Sequence, residues 1–423
     1  MHVAMSEAIP ALCLRARVAS RALARHTTLE PGARASALRG FAAAIRARAA
    51  ELVEVNARDV DDARRKGISA ALLDRLTLGE RGVADMARAV DDIAGLADPL
   101  GAILFESTRP DGLRIRRVRV PIGVVAMIYE ARPNVTAEAA ALCVKSGNAA
   151  ILRGGSEAAR SNAAIHALAS EALGRAGLPS EAVQILPPGD RDAIRELLQQ
   201  TATVDLVIPR GGEALVRFVE ENARVPVVRH GKGVCHLYVD AGADVDTAAR
   251  LAVNAKLQRP GVCNALECLL VDEADAARLL PPIVAALARG GCELRGCERT
   301  RAIAPDVRAA ADDDWGREYL APVLAVRVVG GIAGALEHVA RYGSGHTEAI
   351  CTRDEANAER WRREVDAACV VVNASTRLHD GGELGLGAEI GIATSRLHWR
   401  GAMGLEALTT FKWVLEGQGQ LRA

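Results

Sequence analysis

Apolar residues recur at three- and four-residue intervals through residues 7–100, in an Ala-rich background dotted with Arg. They predict a mainly helical segment broken near 28–32 and 66–68. The period then changes to two. Beyond the turn signal Thr108, Arg109, Pro110, Asp111 and Gly112, residues 113–120 alternate apolar and basic side chains, which predicts a half-exposed hairpin. From 120 onward, apolar runs of strand length alternate with helical stretches. The run 122–129 is nearly continuous and reads as a strand buried on both faces. Further strands are expected at 149–152, 183–186 and 204–208; 225–228 is weaker, because Pro226 confines it to a strand start or a sheet edge. Thr136 and Ser156 are placed to cap helices, and Gly147 to end the first of them. The texture repeats after 236, with strands at 237–239, 266–271, 324–329, 349–351 and 370–372 and helices over 244–255 and 274–289. The tail 409–415 is strand-like and a candidate partner for the hairpin.

Successive β-α-β units with right-handed crossovers give open, twisted, parallel sheets with helices on both faces. The expected fold class is therefore α/β, with two doubly wound domains. The expected divisions are 1–235 (including a hairpin at about 103–120), 236–400 and 401–423, the first break lying where Gly231, Lys232 and Gly233 interrupt the pattern.

A chain of 423 residues suits two or three domains. Half its residues are hydrophobic but only 3% are aromatic, so the core is built from Ala, Val, Leu and Ile. With 53 basic and 53 acidic residues, the balance argues against a nucleic-acid partner held by a basic face. No run approaches the roughly 20 apolar residues of a membrane span. Residues 8–26 are Arg-rich and nearly acid-free, but the same pattern continues through 35–55 with mixed charges, as a structural helix does. Nine Cys, with no C-x-x-C pair, read as reduced thiols in a cytoplasmic setting, with neither a disulfide framework nor a zinc ribbon; no metal is expected.

Five segments can carry chemistry. Gln258, Arg259, Pro260 and Gly261 lead into Cys263 between a helix and a strand. That loop offers amide donors and a cation to a thiolate, although a small buried Cys fits the pattern equally. Arg132 and Asn134 follow a buried strand, where an Arg can pair with an anion and an Asn amide can donate to an oxyanion; an ordinary turn with a helix cap is the other reading. Arg153, Gly154 and Gly155, then Arg210, Gly211 and Gly212, place glycines between strand ends and helix starts, where free amides favour phosphate. Neither turn is G-x-G-x-x-G. His346 sits in a Gly-rich loop and suits either an anion contact or plain exposure; His230 and His236 have no motif around them.

Together these segments resemble the aldehyde dehydrogenase superfamily, and within it the gamma-glutamyl phosphate reductase (glutamate-5-semialdehyde dehydrogenase) branch of proline biosynthesis. The resemblance is carried by residues 120–136, 145–155, 258–264, 343–348 and 401–413, in family order along essentially the whole chain. It implies a small oligomerisation element made of the hairpin near 105–120 and the C-terminal strand, with Cys263 as nucleophile and Asn134 as the oxyanion amide. It implies Arg153 beside the adenosine ribose, Gly211 and Gly212 at the cofactor phosphates, and Glu318 on the nicotinamide ribose. Arg132 and His346 are the expected anion contacts for substrate. Val339 and Ala340 depart from the Ile-Asn often seen there, without touching an assigned residue. Hydrolytic relatives carry a Glu ahead of the domain boundary to activate water; residues 225–232 contain no acid. The implied activity is reduction of L-glutamyl 5-phosphate by NADPH through a Cys263 thioacyl intermediate, in a homo-oligomer coupled to the glutamate kinase that supplies the substrate. The rivals are an aldehyde dehydrogenase acting on another substrate, and a catalytically silent binding protein on the same fold.

Overall fold

The structure, a computed structural model, describes residues 8–29, 32–187, 191–228 and 231–422. It divides into two compact units. The first comprises Met1–Arg229, Leu386–Gly391 and Met403–Ala423; the second comprises His230–Gly385 and Ile392–Ala402.

The first unit opens with five helices: α1 (Ala8–Leu29), α2 (Ala33–Ala47), α3 (Ala49–Arg65), α4 (Ala70–Leu76) and α5 (Glu80–Gly95). A hairpin follows, β1 (Ile103–Thr108) and β2 (Arg114–Pro121). Then come β3 (Val124–Tyr129), α6 (Pro133–Lys145), β4 (Ala149–Arg153), α7 (Ala159–Arg175), β5 (Val183–Ile185), α8 (Arg191–Leu198), β6 (Leu206–Arg210) and α9 (Glu213–Asn222). These strands form a parallel sheet of order β5-β4-β3-β6. All six residues of β3 are buried, because helices cover both faces of the sheet. The weak candidate at 225–228 appears as a single parallel bridge, Val227 to Val207.

Two of the expected helix caps are corrected. Pro133 starts α6 at its first turn, so Thr136 lies inside the helix, bonded to Tyr129 Oη and Asn162 Oδ1. Ser156 begins a short 3₁₀ turn ahead of α7 and makes no cap hydrogen bond. Gly147 ends α6 as expected, at a φ of 78° that favours a residue without Cβ.

The second unit runs β7 (Cys235–Val239), α10 (Val245–Leu257), β8 (Leu266–Asp272), α11 (Ala276–Arg289), β9 (Glu293–Gly296), α12 (Glu298–Ile303), β10 (Arg308–Ala309), β11 (Val323–Val329), α13 (Gly331–Tyr342), β12 (Thr347–Cys351), α14 (Glu355–Glu364) and β13 (Cys369–Val372). Its parallel sheet has the order β10-β9-β11-β8-β7-β12-β13. Asp244 caps α10 by accepting from the Thr247 amide at 2.9 Å. Two two-residue strands, β14 (Ile392–Ala393) and β15 (Gly401–Ala402), pair with each other.

The last strand, β16 (Thr409–Glu416), belongs to the first unit and pairs antiparallel with β2. The basic strand is thus the centre of a three-stranded sheet, not an edge. Its arginines meet carboxylates: Arg114 with Glu106, Arg116 with Glu416 and Arg119 with Glu406. Ile103, Phe105, Phe411, Trp413 and Leu415 remain exposed on this sheet. No helix of the described residues is long and apolar enough to cross a membrane.

Candidate active site

In the second unit, the loop between α10 and β8 brings Cys263 to the amino edge of the sheet, ahead of β8. Cys263 is half-buried; six of the other eight cysteines are buried, and all nine are free thiols. The loop's two ends are tied together from below. Lys256, on the last turn of α10, donates to Glu267 of β8 at 2.6 Å, with both side chains fully enclosed. Burial pushes the Glu267 carboxyl up to about 7 against the opposing pull of Lys256.

Residues distant in sequence fix the loop further. Gly233 packs so closely that a Cβ there would lie 1.8 Å from the Cys263 carbonyl oxygen. The Gly233 amide donates to Glu318 Oε1 at 2.9 Å, so Glu318 holds the segment leading into β7 that backs the cysteine. The Cys235 thiol donates to the same Cys263 carbonyl at 3.2 Å. Asn264 is buried; its amide donates to the His379 carbonyl at 2.8 Å, while its own carbonyl accepts from Thr376 Oγ1 at 2.7 Å.

His346 lies behind this loop rather than on its surface. It is fully buried, its ring edge-on to His379 at 5.3 Å between centroids. Its Nδ1 is 2.7 Å from Thr347 Oγ1 and 3.6 Å from Cys235 Sγ, and Thr347 Oγ1 is 2.8 Å from His379 Nδ1. Thr347 has one hydroxyl proton, so one imidazole donates to it and the other accepts. Because the Cys235 proton goes to the Cys263 carbonyl, its sulfur is an acceptor, which makes His346 Nδ1 the donor and His379 Nδ1 the acceptor. Burial pulls His379 down to about 4, consistent with a neutral acceptor ring. The direct anion contact expected of His346 is therefore corrected: its side chain has no exposed surface.

A second buried polar cluster lies deeper in the sheet. His236 Nε2, Cys268 Sγ and His338 Nε2 lie within 4.8 Å of one another, close enough to hold a metal ion. Two features set its state. Arg327 donates to His338 Nδ1 at 2.9 Å, leaving the ring proton on Nε2, which faces Cys268 Sγ at 3.5 Å. His236 Nδ1 bonds Glu348 at 2.8 Å. A metal on His338 Nε2 would have to displace that proton beside the Arg327 charge. His338 and Cys268 are thus hydrogen-bonded to each other, while His236 Nε2 is buried with no hydrogen-bond partner among the described residues.

In the first unit, β3, β4 and β6 end together, and their carboxyl edge carries Glu130, Arg153 and Arg210. Sheet order reverses on either side of β3, which places the ligand crevice of such a sheet at the β3–β6 ends. The Gly211–Gly212 turn sits there. A Cβ on Gly211 would lie 2.7 Å from the Glu130 carboxyl carbon, and the Gly212 amide donates to Glu130 Oε1 at 2.9 Å. A carboxylate thus already occupies the amide donor at the start of α9. A cofactor phosphate at that amide would have to displace Glu130. Arg153 turns back onto the Gly154 carbonyl. Arg132 is the N-cap residue of α6. In the first turn of that helix, Asn134 Nδ2 donates to Glu138 Oε1 at 3.0 Å. That bond uses one of the two amide protons and leaves the other to point elsewhere. Burial raises the Glu138 carboxyl, opposed by Asn134 and by the charges of Arg210 and Arg132.

Sequence patterns missed the supports of the loop. Gly233 reads as part of an interdomain break, and Cys235 as one more core thiol. Lys256 and Glu267 did leave a signal, as charges inside otherwise apolar helix and strand runs. Arg229 and His230 lie outside the described residues.

The family model of the aldehyde dehydrogenases matches residues 4–293. A gamma-glutamyl phosphate reductase of Sorangium cellulosum (strain So ce56) is 58% identical over 426 residues, covering 100% of this chain and 99% of its own. One from Parvibaculum lavamentivorans is 53% identical, covering 96% of each chain. The crystal structure of gamma-glutamyl phosphate reductase from Thermotoga maritima superposes with a TM-score of 0.95 at 45% identity, over 98% of this chain and 100% of its own. An acetylating aldehyde dehydrogenase from Geobacillus thermoglucosidasius shares the fold, with a TM-score of 0.71 at 19% identity, over 100% of this chain and 99% of its own.

Proposed function

The chain belongs to the aldehyde dehydrogenase family and, within it, to the gamma-glutamyl phosphate reductases, and on that premise we propose that it reduces L-glutamyl 5-phosphate to L-glutamate 5-semialdehyde and phosphate. It is an enzyme of the oxidoreductase class that uses a nicotinamide cofactor. The observation that carries the proposal is the half-buried Cys263 on a loop whose backbone is fixed at Gly233, Cys235 and Asn264.

Cys263 attacks the acyl carbon as a thiolate. The Asn134 amide proton not used by Glu138, with the Cys263 backbone N–H, receives the developing oxyanion. Phosphate leaves with the electron pair of the broken C–O bond, and the acyl group remains on sulfur. A bound nicotinamide cofactor, NADPH in this proposal, would supply the hydride for reduction of the Cys263 thioester to the oxyanion of a thiohemiacetal. Arg153, the Gly211–Gly212 turn and Glu318 are the residues proposed to hold it, and Arg132 the one proposed to meet the phosphoryl charge. Collapse of the thiohemiacetal returns the Cys263 thiolate and releases the aldehyde. The protein's own contribution is positional. Cys235, Gly233 and the His346–Thr347–His379 chain hold the nucleophile's backbone, and Glu138 orients the oxyanion amide.

The exposed aromatic face of the β1-β2-β16 sheet supports a homo-oligomer with a second copy against it. Reduced thiols suit a cytoplasmic home in proline biosynthesis, with the glutamate kinase that makes the substrate as a functional neighbour. The test runs the reaction backwards: glutamate 5-semialdehyde with NADP or NAD, with and without phosphate. Phosphate-dependent reduction of NADP is expected. Turnover indifferent to phosphate would replace this proposal with a different aldehyde dehydrogenase.

A further inference from the structure

In the first unit, α4, α5 and the first turns of α6 line an open cavity of about 480 Å³, with Arg75 and Asp92 exposed at its mouth. That volume is within the range of small-molecule sites. Its wall mixes chemistry in a way that suits one class of ligand. Leu78, Met86 and Pro133 supply apolar surface, Arg75 a cation, and Asp92 and Glu138 carboxylates. Arg75 and Asp92 form no ion pair, either with each other or with any described residue. Arg88, also in the wall, is already tied to Asp85 on the same helix. Opposite charges line one cavity without neutralising each other, which complements a zwitterion carried on a short aliphatic chain.

Asn134 lies in the same wall. Glu138, four residues further along α6, meets it at 3.0 Å through Oε1, so the two side chains present adjacent polar groups to the cavity. In a glutamyl group, the reacting carboxyl carbon and the α-nitrogen are four bonds apart, about 5 Å when extended. An acyl oxygen at Asn134 therefore leaves the α-ammonium within reach of Glu138. One Glu138 oxygen accepts from Asn134, and the other makes no hydrogen bond among the described residues.

We propose that this cavity is the subsite for the amino-acid end of the substrate, with Glu138 receiving the α-ammonium and Arg75 the α-carboxylate. The assignment rests on the reaction proposed above and names the specificity-determining residues for it. Burial already holds the Glu138 carboxyl above its ordinary range, and an arriving ammonium restores its charge.

The experiment compares kcat/KM for three aldehydes in the phosphate-dependent direction: L-glutamate 5-semialdehyde, 5-oxopentanoate, which lacks the ammonium, and pentanal, which lacks both charges. In Glu138→Gln, the preference for glutamate semialdehyde over 5-oxopentanoate falls roughly 10- to 100-fold, the loss of one charge-assisted hydrogen bond. In Arg75→Leu, the preference for 5-oxopentanoate over pentanal falls by a similar factor. A variant that merely disturbs α6 or misplaces Asn134 slows all three substrates together and leaves both ratios intact. That result, or ratios within twofold of the parent in soundly folded variants, overturns the subsite alone. A parent enzyme inactive toward glutamate semialdehyde overturns the proposed reaction and the subsite with it.

Discussion

Gly233→Ala isolates what the cysteine loop needs from its neighbours. The added Cβ would sit 1.8 Å from the Cys263 carbonyl oxygen, 2.5 Å from its carbonyl carbon and 2.7 Å from its Cα. Those atoms are backbone and cannot rotate away, so the loop or the strand must retreat by about 1.5 Å to regain ordinary contact. Such overpacking costs about 1–3 kcal/mol of stability. The kinetic cost is larger, because a displacement of about 1 Å in a reacting group lowers the rate on the order of 100-fold. Gly242→Ala is the paired control in the same unit. Gly242 has open space around it but a φ of +72°, so the change costs about 1 kcal/mol through backbone strain and leaves the loop alone. Steady-state kinetics and thermal melts on both variants separate the two effects. Expected are a kcat near one-hundredth of the parent for Gly233→Ala and an unchanged kcat with a lower Tm for Gly242→Ala. A Gly233→Ala enzyme within threefold of the parent kcat would show that the loop is not pinned where the structure has it.

Three further outcomes are expected. Cys263→Ala abolishes turnover while NADPH binding, followed by fluorescence titration, stays largely intact; retained turnover refutes the nucleophile. Lys256→Met strands the Glu267 carboxyl in the core and costs about 3–5 kcal/mol by denaturant unfolding, whereas Lys256→Met with Glu267→Leu recovers most of that loss; equal losses in the single and double variants refute the pairing. Stability follows a dome in pH. Burial, with repulsion from His236 and Arg327, pulls His338 down to about 3, so its contribution is lost as pH falls from its ordinary 6.5 toward 3. Burial opposes the charge on His236, but Glu348 overrides it and raises that ring to about 10, so its contribution is full below 6.5 and lost as pH climbs toward 10. Melting temperatures across that range, with His236→Gln expected to flatten the alkaline side, decide it.

The buried strands were legible because parallel strands covered on both faces leave continuous apolar runs; β3 and β8 differ from their expected spans by only one or two residues. Short elements at the sheet edge, such as β9 and β10, left no such run. Thr136 misled because an N-cap signal and a residue buried one turn into a helix look alike, and Pro133 decided between them. Cys263 stood out by its local composition. What positions it did not, because Gly233, Cys235, His346 and His379 lie far from it in sequence and meet it only through folding. His346 shows the same limit in reverse: a Gly-rich loop suggests exposure, and the structure buries the ring.

The pairing of β16 with β2 has a consequence for how the protein is made. Arg119 and its partner Thr409 are 290 residues apart. At about 5–20 residues per second, roughly 15–60 s of translation separate them. Throughout that interval β2 has one neighbour instead of two, and its row of backbone donors and acceptors is an open edge of the kind that recruits stray strands. The second unit is synthesised almost entirely during the same wait. The arginines along β2 discourage other basic hairpins from docking on that edge, and β16, ending in Glu416, brings the matching charge.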